Sequence, residues 1–322
     1  MRKIGILTSG GDAPGMNACI RTAVRAAIAS HVEIIGIRRG YSGLIRGDLF
    51  PLDRQYVANI IHQGGTILET SRCPEFKTAE GRASAIKVLE NAGIEGLVLI
   101  GGDGTFRGAT LLAQECSVSL VGVPGTIDND VYGTDYSIGF DSAVNCALQA
   151  IDRIRDTANS LERLFFVEVM GHHTGFIALE SGIAGGAEEI LVPEKPVDVD
   201  GLCRRLRGSF EHGKRSAIVI VAEGEHPGNS FELAQAVKDR LDIDSRVCIL
   251  GHVQRGGTPT ARDRVLAAKL GAAAIGALIN GKSGCMVGEV NGRVAHTPLS
   301  DTWQKQKQPD AELQALATLL CE

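Results

Sequence analysis

No uncharged apolar run in this 322-residue chain is long enough to span a bilayer. The longest, Leu270–Asn280, falls well short of the ~20 residues that a membrane helix needs. Nor does a secretory or transit pattern open the chain, because Met1–Leu7 runs straight into a strand-like segment. A disulfide or zinc framework is missing too: the eight cysteines (19, 73, 116, 146, 203, 248, 285 and 321) form no C-x-x-C pair. Scattered free thiols suit a reducing compartment, so a cytoplasmic location is expected. Basic charge is not in excess. A net charge of −5 argues against a general nucleic-acid binder, although it leaves room for local basic pockets that hold phosphates.

What the chain has in quantity is glycine, 40 residues of it, and enough apolar residues, 44%, for a sizeable core. The glycines follow no fixed period, which excludes collagen, and they avoid Ser/Pro tracts, which argues against a disordered linker. Most follow short apolar runs, where α/β proteins keep their ligand loops. Lys3–Leu7, Val32–Ile37, Gly96–Ile100, Leu120–Val123, Leu164–Met170, Ala217–Ala222 and Arg246–Leu250 read as buried parallel strands. Between them lie helical patterns, among them Gly15–Ser30 with an apolar stripe at Met16, Ile20, Ala23, Val24, Ala27 and Ile28. Repeated strand–loop–helix succession predicts an α/β fold of two doubly wound lobes with largely parallel sheets. Long helical patterns over Ser142–Ser160 and Thr260–Asn280 mark the division. They suggest one lobe of 1–138 plus 252–305 and a second of 139–251 plus 306–322, with polar Gln304–Asp310 as a connector.

Three loops carry the chemistry. Thr8–Asn17 (TSGGDAPGMN) joins a strand to a helix, so its backbone N–H groups and the helix dipole can receive an anion. It is neither a Walker A loop nor a dinucleotide fingerprint, and a plain tight turn would look the same. In Ile100–Thr105 (IGGDGT), Asp103 can hold Mg²⁺ while the glycines admit a polyphosphate; alternatively Asp103 is a helix N-cap. The same G-G-D-G-T occurs in lipid and dinucleotide kinases, so it points to phosphoryl transfer before it points to an acceptor. In Pro124–Asp130 (PGTIDND), a strand-like register would put Asp128 and Asp130 on one face, one as general base and the other orienting it. Asn and Asp are also ordinary turn residues.

Together with Gly171 and Gly251–Gly257 (GHVQRGG), these segments resemble those of bacterial-type ATP-dependent 6-phosphofructokinases, the phosphofructokinase A family. The resemblance covers nearly the whole chain, with SGGDAPGMN, GGDGT, PGTIDND, VEVMG, AEG and GHVQRGG in the family's order. It implies a homotetrameric glycolytic enzyme that uses Mg²⁺ and ATP to phosphorylate fructose 6-phosphate in a cleft between the lobes. By the same resemblance Asp128 is the base, assisted by Thr126 and Asp130 in placing the acceptor. Gly11 faces the transferred phosphoryl group, Arg72 bridges donor and acceptor, and Asp103 is linked to Mg²⁺. Tyr41, Cys73, Lys77, Arg82, Gly102, Gly104, Thr105 and Gly108 lie where the nucleotide is held. Met170, Gly171, His172, Glu223, His252 and Arg255 grip the sugar phosphate, while Arg163 and Arg246 reach it from a neighbouring subunit.

Arg21 and Arg25, four apart on the helix face opposite the apolar stripe, can clamp one anion. With Arg54, Arg155, Glu188, Lys214 and Arg215 they match the family's effector site for ADP or phosphoenolpyruvate. The alternative is a solvated basic face. His212 replaces a common Lys or Arg at that site, and His172 replaces a common Arg near the reacting phosphates, where a His offers no bidentate fork. Pyrophosphate-using relatives typically carry Asp at the position of Gly104 and Lys at that of Gly125, so ATP is the expected donor. A pyrophosphate-dependent enzyme or a catalytically weakened regulatory subunit are the alternatives.

Overall fold

The computed structural model describes residues 1–161, 163–224 and 228–321. The chain opens with β1 (Lys3–Thr8), α1 (Met16–Ala29), β2 (Glu33–Ile37), α2 (Gly40–Arg46) and β3 (Leu49–Pro51). Next come α3 (Ala79–Asn91), β4 (Gly96–Gly101), α4 (Asp103–Glu115), β5 (Ser119–Pro124) and the long α5 (Phe140–Leu161). After these follow β6 (Leu164–Val169), α6 (Phe176–Ala184), β7 (Glu189–Leu191), α7 (Val199–Glu211) and β8 (Ala217–Ala222). Then come α8 (Asn229–Leu241), β9 (Ser245–Ile249), α9 (Ala261–Ile279), β10 (Cys285–Val290) and β11 (Arg293–Pro298). A single-turn α10 (Asp301–Gln304) and α11 (Ala311–Cys321) end the chain. Two compact units result: Met1–Ser142 with Arg255–Lys307, and Ala143–Gln254 with Gln308–Glu322. No helix among the described residues is long and apolar enough to cross a membrane.

In the first unit, seven strands are ordered β11-β10-β5-β4-β1-β2-β3. The inner pairs β5–β4, β4–β1 and β1–β2 are parallel, whereas β3 and β11 pair antiparallel at the two edges. Ile4, Ile6 and Leu7 of β1 and Leu97–Ile100 of β4 are fully buried, which explains why these strands read as unbroken apolar runs. The stripe foreseen on α1 faces inward: Met16, Ile20, Ala23, Val24 and Ala27 are buried, and Arg25 is exposed. Removing a large side chain of this kind from water contributes roughly 1.5–3 kcal/mol. Because β1 runs to β2 on one side and β4 lies on its other side, the switch point falls between β1 and β4. Open α/β sheets bind ligands outside the carboxyl ends of strands at such a point.

The second unit holds a smaller sheet, ordered β7-β8-β6-β9, with every pair parallel. One face of it is packed by Leu202 and Leu206 of α7 and by Ala234 and Val237 of α8. The helix starts follow ordinary chemistry. The Asp198 side chain accepts from Gly201 N at 2.9 Å at the start of α7, and Thr78 does the same for α3.

Candidate active site

The carboxyl ends of β1, β4 and β5 place the three signature loops side by side in the first unit. Ser9 N donates to the Ile100 carbonyl (3.0 Å), and Gly125 N to the Gly101 carbonyl (2.9 Å), extending the ladder into the loops. Thr105 Oγ1 donates to the Ser9 carbonyl at 2.9 Å and so ties the start of α4 to the first loop. A Cβ on Gly102 would lie 3.6 Å from that of Thr126, which brings the second and third loops into contact. Gly15, at φ 106, allows α1 to begin directly behind the first loop; a Cβ there would meet Ile138 at 2.7 Å.

Around the first loop, Gly11 is exposed and Arg255 reaches over it. Arg255 Nη1 donates to the Asp12 carbonyl at 3.2 Å, and a Cβ on Gly11 would approach the same nitrogen to 2.6 Å. A guanidinium beside open backbone is an anion-binding arrangement. Thr70 Oγ1 donates to the Gly10 carbonyl (2.7 Å) and Ser71 Oγ to the Arg39 carbonyl (2.9 Å), so the segment bearing exposed Arg72 is fastened to this loop. Cys73 is half-buried against the core beneath.

At the second loop, Asp103 is exposed at the first position of α4, and its Oδ1 accepts from Gly104 N at 2.5 Å. Gly104 and Lys77 are exposed nearby in the sequence of the site. Tyr41 is buried, stacks on Phe76 at 3.8 Å and donates its hydroxyl to the Thr105 carbonyl at 2.6 Å. Burial pushes its phenol well above the ordinary range, so it stays a donor. Gly108 packs against this ring pair: a Cβ would sit 3.0 Å from Tyr41.

Arg82 is buried, pairs with Glu115 (Nη2–Oε1 2.8 Å) and donates through Nη1 to the Lys77 carbonyl at 2.8 Å, so it braces the turn Pro74–Lys77. The Glu115 carboxylate holds its pKa up, and Arg82 in turn holds Glu115 low. One expectation is corrected here: Asp128 and Asp130 do not share a strand face. β5 ends at Pro124, and Asn129 between them is left-handed, at φ 54. Asparagine tolerates that conformation because its short amide bonds locally. Asn129 Oδ1 accepts from Ser137 N at 2.9 Å, and Nδ2 donates to the Asp135 carbonyl at 3.1 Å. Asp128 is partly buried, its N–H donating to Thr126 Oγ1 (3.2 Å), whose hydroxyl lies 3.4 Å from Asp128 Oδ2.

Sequence reasoning passed over Asp263. Fully buried at the start of α9, it accepts from Gly139 N (2.9 Å), Ser142 N (2.8 Å) and Ser142 Oγ (2.6 Å), thereby capping α5. Burial pushes this carboxyl above its ordinary range, and the bonds from Ser142 and Gly139 offset only part of that. Thr260, three residues earlier, is the N-cap of α9, its Oγ1 accepting from Asp263 N at 3.3 Å. Asp263→Ala strips two buried N–H groups of their acceptor and is expected to lower stability by about 2–4 kcal/mol, read by urea denaturation.

The other expected ligands lie in the second unit. Arg163 precedes β6, and Arg246 on β9 is registered with Phe165; both lie close enough to Asp244 to help Lys238 hold that carboxyl low. Met170 is buried, and its N–H donates to Gln254 Oε1 at 2.8 Å, a contact that the sequence reading left unassigned. Gly171, at φ 146, turns the chain where a Cβ would meet the Thr174 carbonyl at 2.5 Å. His172 is exposed at φ 53, its N–H donates to Glu223 Oε1 (3.0 Å) and its ring lies against that of His173, tilted by 55°. His252 is exposed on the short 3₁₀ turn that ends at Arg255.

Of the expected effector residues, the second unit brings three together. Glu188 Oε1 lies 3.7 Å from Arg155 Nη1 and 3.6 Å from Lys214 Nζ, while Oε2 accepts from Ile218 N. Arg215 follows, exposed. Arg21, Arg25 and Arg54 are in the first unit, the last two exposed.

Comparison with known proteins agrees with this geometry. A phosphofructokinase family model matches residues 3–278. ATP-dependent 6-phosphofructokinase 1 of Thermus thermophilus is 60% identical over 320 residues, covering 99% of each chain. The ATP-dependent 6-phosphofructokinase of Halothermothrix orenii is 48% identical over 330 residues, again with 99% of both covered. Among solved structures, phosphofructokinase from Saccharomyces cerevisiae superposes with a TM-score of 0.89 at 35% identity, over 99% of this chain and 47% of that one. The chain belongs to the phosphofructokinase family.

Proposed function

We propose that this chain is an ATP-dependent 6-phosphofructokinase that transfers the γ-phosphoryl group of ATP to the 1-hydroxyl of fructose 6-phosphate. The observation that carries the reading is the alignment of three loops at one sheet end: open backbone at Gly11, a carboxylate at Asp103 and a second at Asp128. Whole-chain identity of 60% to an enzyme named for that reaction supports it. In the transfer, the acceptor O1–H bond breaks and its proton passes to Asp128. The O1–P bond forms as the bridging β–γ bond of ATP breaks, and ADP leaves with the electron pair. Thr126 orients the base, and Arg72, planar and permanently charged, meets charge spread over the transferring oxygens.

Asp103 is the residue that would hold Mg²⁺. Among the described residues no group of three or more His, Cys, Asp or Glu could hold a metal ion. A single exposed carboxylate fits an ion that takes its other ligands from phosphates and water. When bound, the ion neutralises charge on the phosphate oxygens. Gly11, Tyr41, Cys73, Lys77, Arg82, Gly102, Gly104, Thr105 and Gly108 form the nucleotide side. Asp130, Met170, Gly171, His172, Glu223, His252 and Arg255 serve the sugar phosphate. A homotetramer in which Arg163 and Arg246 complete a neighbouring site, an effector site around Glu188 and a cytoplasmic location belong to the same reading. A coupled assay with fructose 6-phosphate should show turnover with ATP and little with pyrophosphate. Equal rates with pyrophosphate would reject the donor assignment.

A further inference from the structure

The loop bearing the base is closed at its neck by a residue far along the chain. Lys307, half-buried at the end of the first unit, donates from Nζ to Asn129 Oδ1 at 2.8 Å and to the Asp135 carbonyl at 2.8 Å. We propose that Lys307 is a positioning residue for phosphoryl transfer, acting on Asp128 through the Asn129 side chain; this rests on the reading of Asp128 as the base.

Asn129 is buried, sits beside Asp128 in a left-handed conformation and uses its one amide as a three-way junction. Its oxygen accepts from Ser137 N and from Lys307, and its nitrogen donates to the Asp135 carbonyl. Ser137 Oγ closes the ring by donating to the Thr126 carbonyl at 2.7 Å. Thr126 in turn holds the backbone N–H of Asp128. These bonds bear on the direction of the Asp128 carboxylate, and the bond from Lys307 to the Asn129 amide is charge-assisted. Such a bond is about twice as strong as a neutral one. It also polarises the amide it meets, which strengthens the next bond in the chain. Nearby Lys305 shows the contrast: exposed, it pairs with Asp301 at i,i+4, the ordinary surface use of a lysine. Lys307 directs its ammonium onto a buried amide and a main-chain carbonyl of the loop that carries Asp128. Cutting that bond leaves the fold in place and loosens the base, and a misplacement of about 1 Å can cost up to 10²-fold in rate.

The test measures kcat and both KM values for Lys307→Met, Lys307→Gln, Lys307→Arg, Asn129→Ala and the double variant of Lys307→Met with Asn129→Ala. Asp128→Ser is assayed beside them, and thermal melts confirm folding. Expected are a fall in kcat of about 10- to 100-fold for both neutral variants with KM for ATP unchanged, and substantial recovery with Arg. The double variant should be hardly slower than the worse single one, because both cut the same circuit. The proposal is overturned if both neutral variants keep kcat within about twofold of the parent, or if the Lys307 and Asn129 losses multiply. Full turnover by Asp128→Ser would instead reject the base itself, whatever Lys307 does.

Discussion

Asp128→Ser is expected to lower kcat by about 10³- to 10⁴-fold, near the upper end of what a positioned general base contributes. Serine is small and polar, so it fits the partly buried site and can still meet Thr126 Oγ1, the partner of the native residue. What it cannot do is take a proton from the acceptor hydroxyl at neutral pH, because a protonated alcohol is a strong acid. On the proposed reading ATP is held by the first and second loops, whose mutual contacts run through Ser9, Thr105 and the ends of β1 and β4. KM for ATP should therefore hold while kcat collapses, the signature of an interaction made in the transition state. Steady-state rates by coupled assay, with a thermal melt to show intact folding, check both halves. Near-normal turnover on fructose 6-phosphate would remove Asp128 from the chemistry.

How much of this was legible in the sequence depends on how local the determinant is. The parallel strands stood out because burial on both faces demands unbroken apolar runs, as in Leu97–Ile100. The edges did not. Strands β10 and β11 form an antiparallel hairpin whose outer strand is mostly exposed, so its composition looks like loop. One signal was available there: Asn291 and Gly292 at the turn both have positive φ, the pattern of a two-residue hairpin loop. The loop that carries Asp128 was misread, because extending β5 past Pro124 ignored the readiness of Asn129 to turn left-handed. Asp263 and Lys307 were invisible for a different reason. Their partners lie 121–124 and 172–178 residues away in the chain, and no periodicity encodes such a contact. The pairing of Arg82 with Glu115, 33 residues on, was not legible either.

The donor site offers the second large effect, because the two glycines from which ATP was expected as donor differ physically. Gly104 has no atom within 4 Å of where a Cβ would be, and it is exposed in the first turn of α4. An aspartate fits there without strain, and an acidic residue in the first turn of a helix is itself mildly favourable. Gly125 is enclosed: a Cβ would meet Ile100 Cγ2 at 2.9 Å and Met16 Cε at 3.1 Å, both core atoms. Lysine there must displace packed side chains, and overpacking of this kind costs typically ~1–3 kcal/mol. Gly104→Asp is thus the clean probe. It sets a second carboxylate beside Asp103 at a helix start whose exposed backbone would otherwise receive phosphate. Two adjacent carboxylates at that helix start would repel the α-phosphate of ATP, and a loss of about 100-fold in kcat/KM for ATP is expected. KM for fructose 6-phosphate and the melting temperature should stay near the parent values, because neither depends on that exposed position. If kcat/KM for ATP is preserved in the folded variant, Gly104 does not face the nucleotide and the argument from donor-determining glycines fails. If pyrophosphate turnover appears as ATP turnover is lost, a single exposed position on α4 is enough to begin changing the donor, while Gly125 limits how far the change can go without repacking the core.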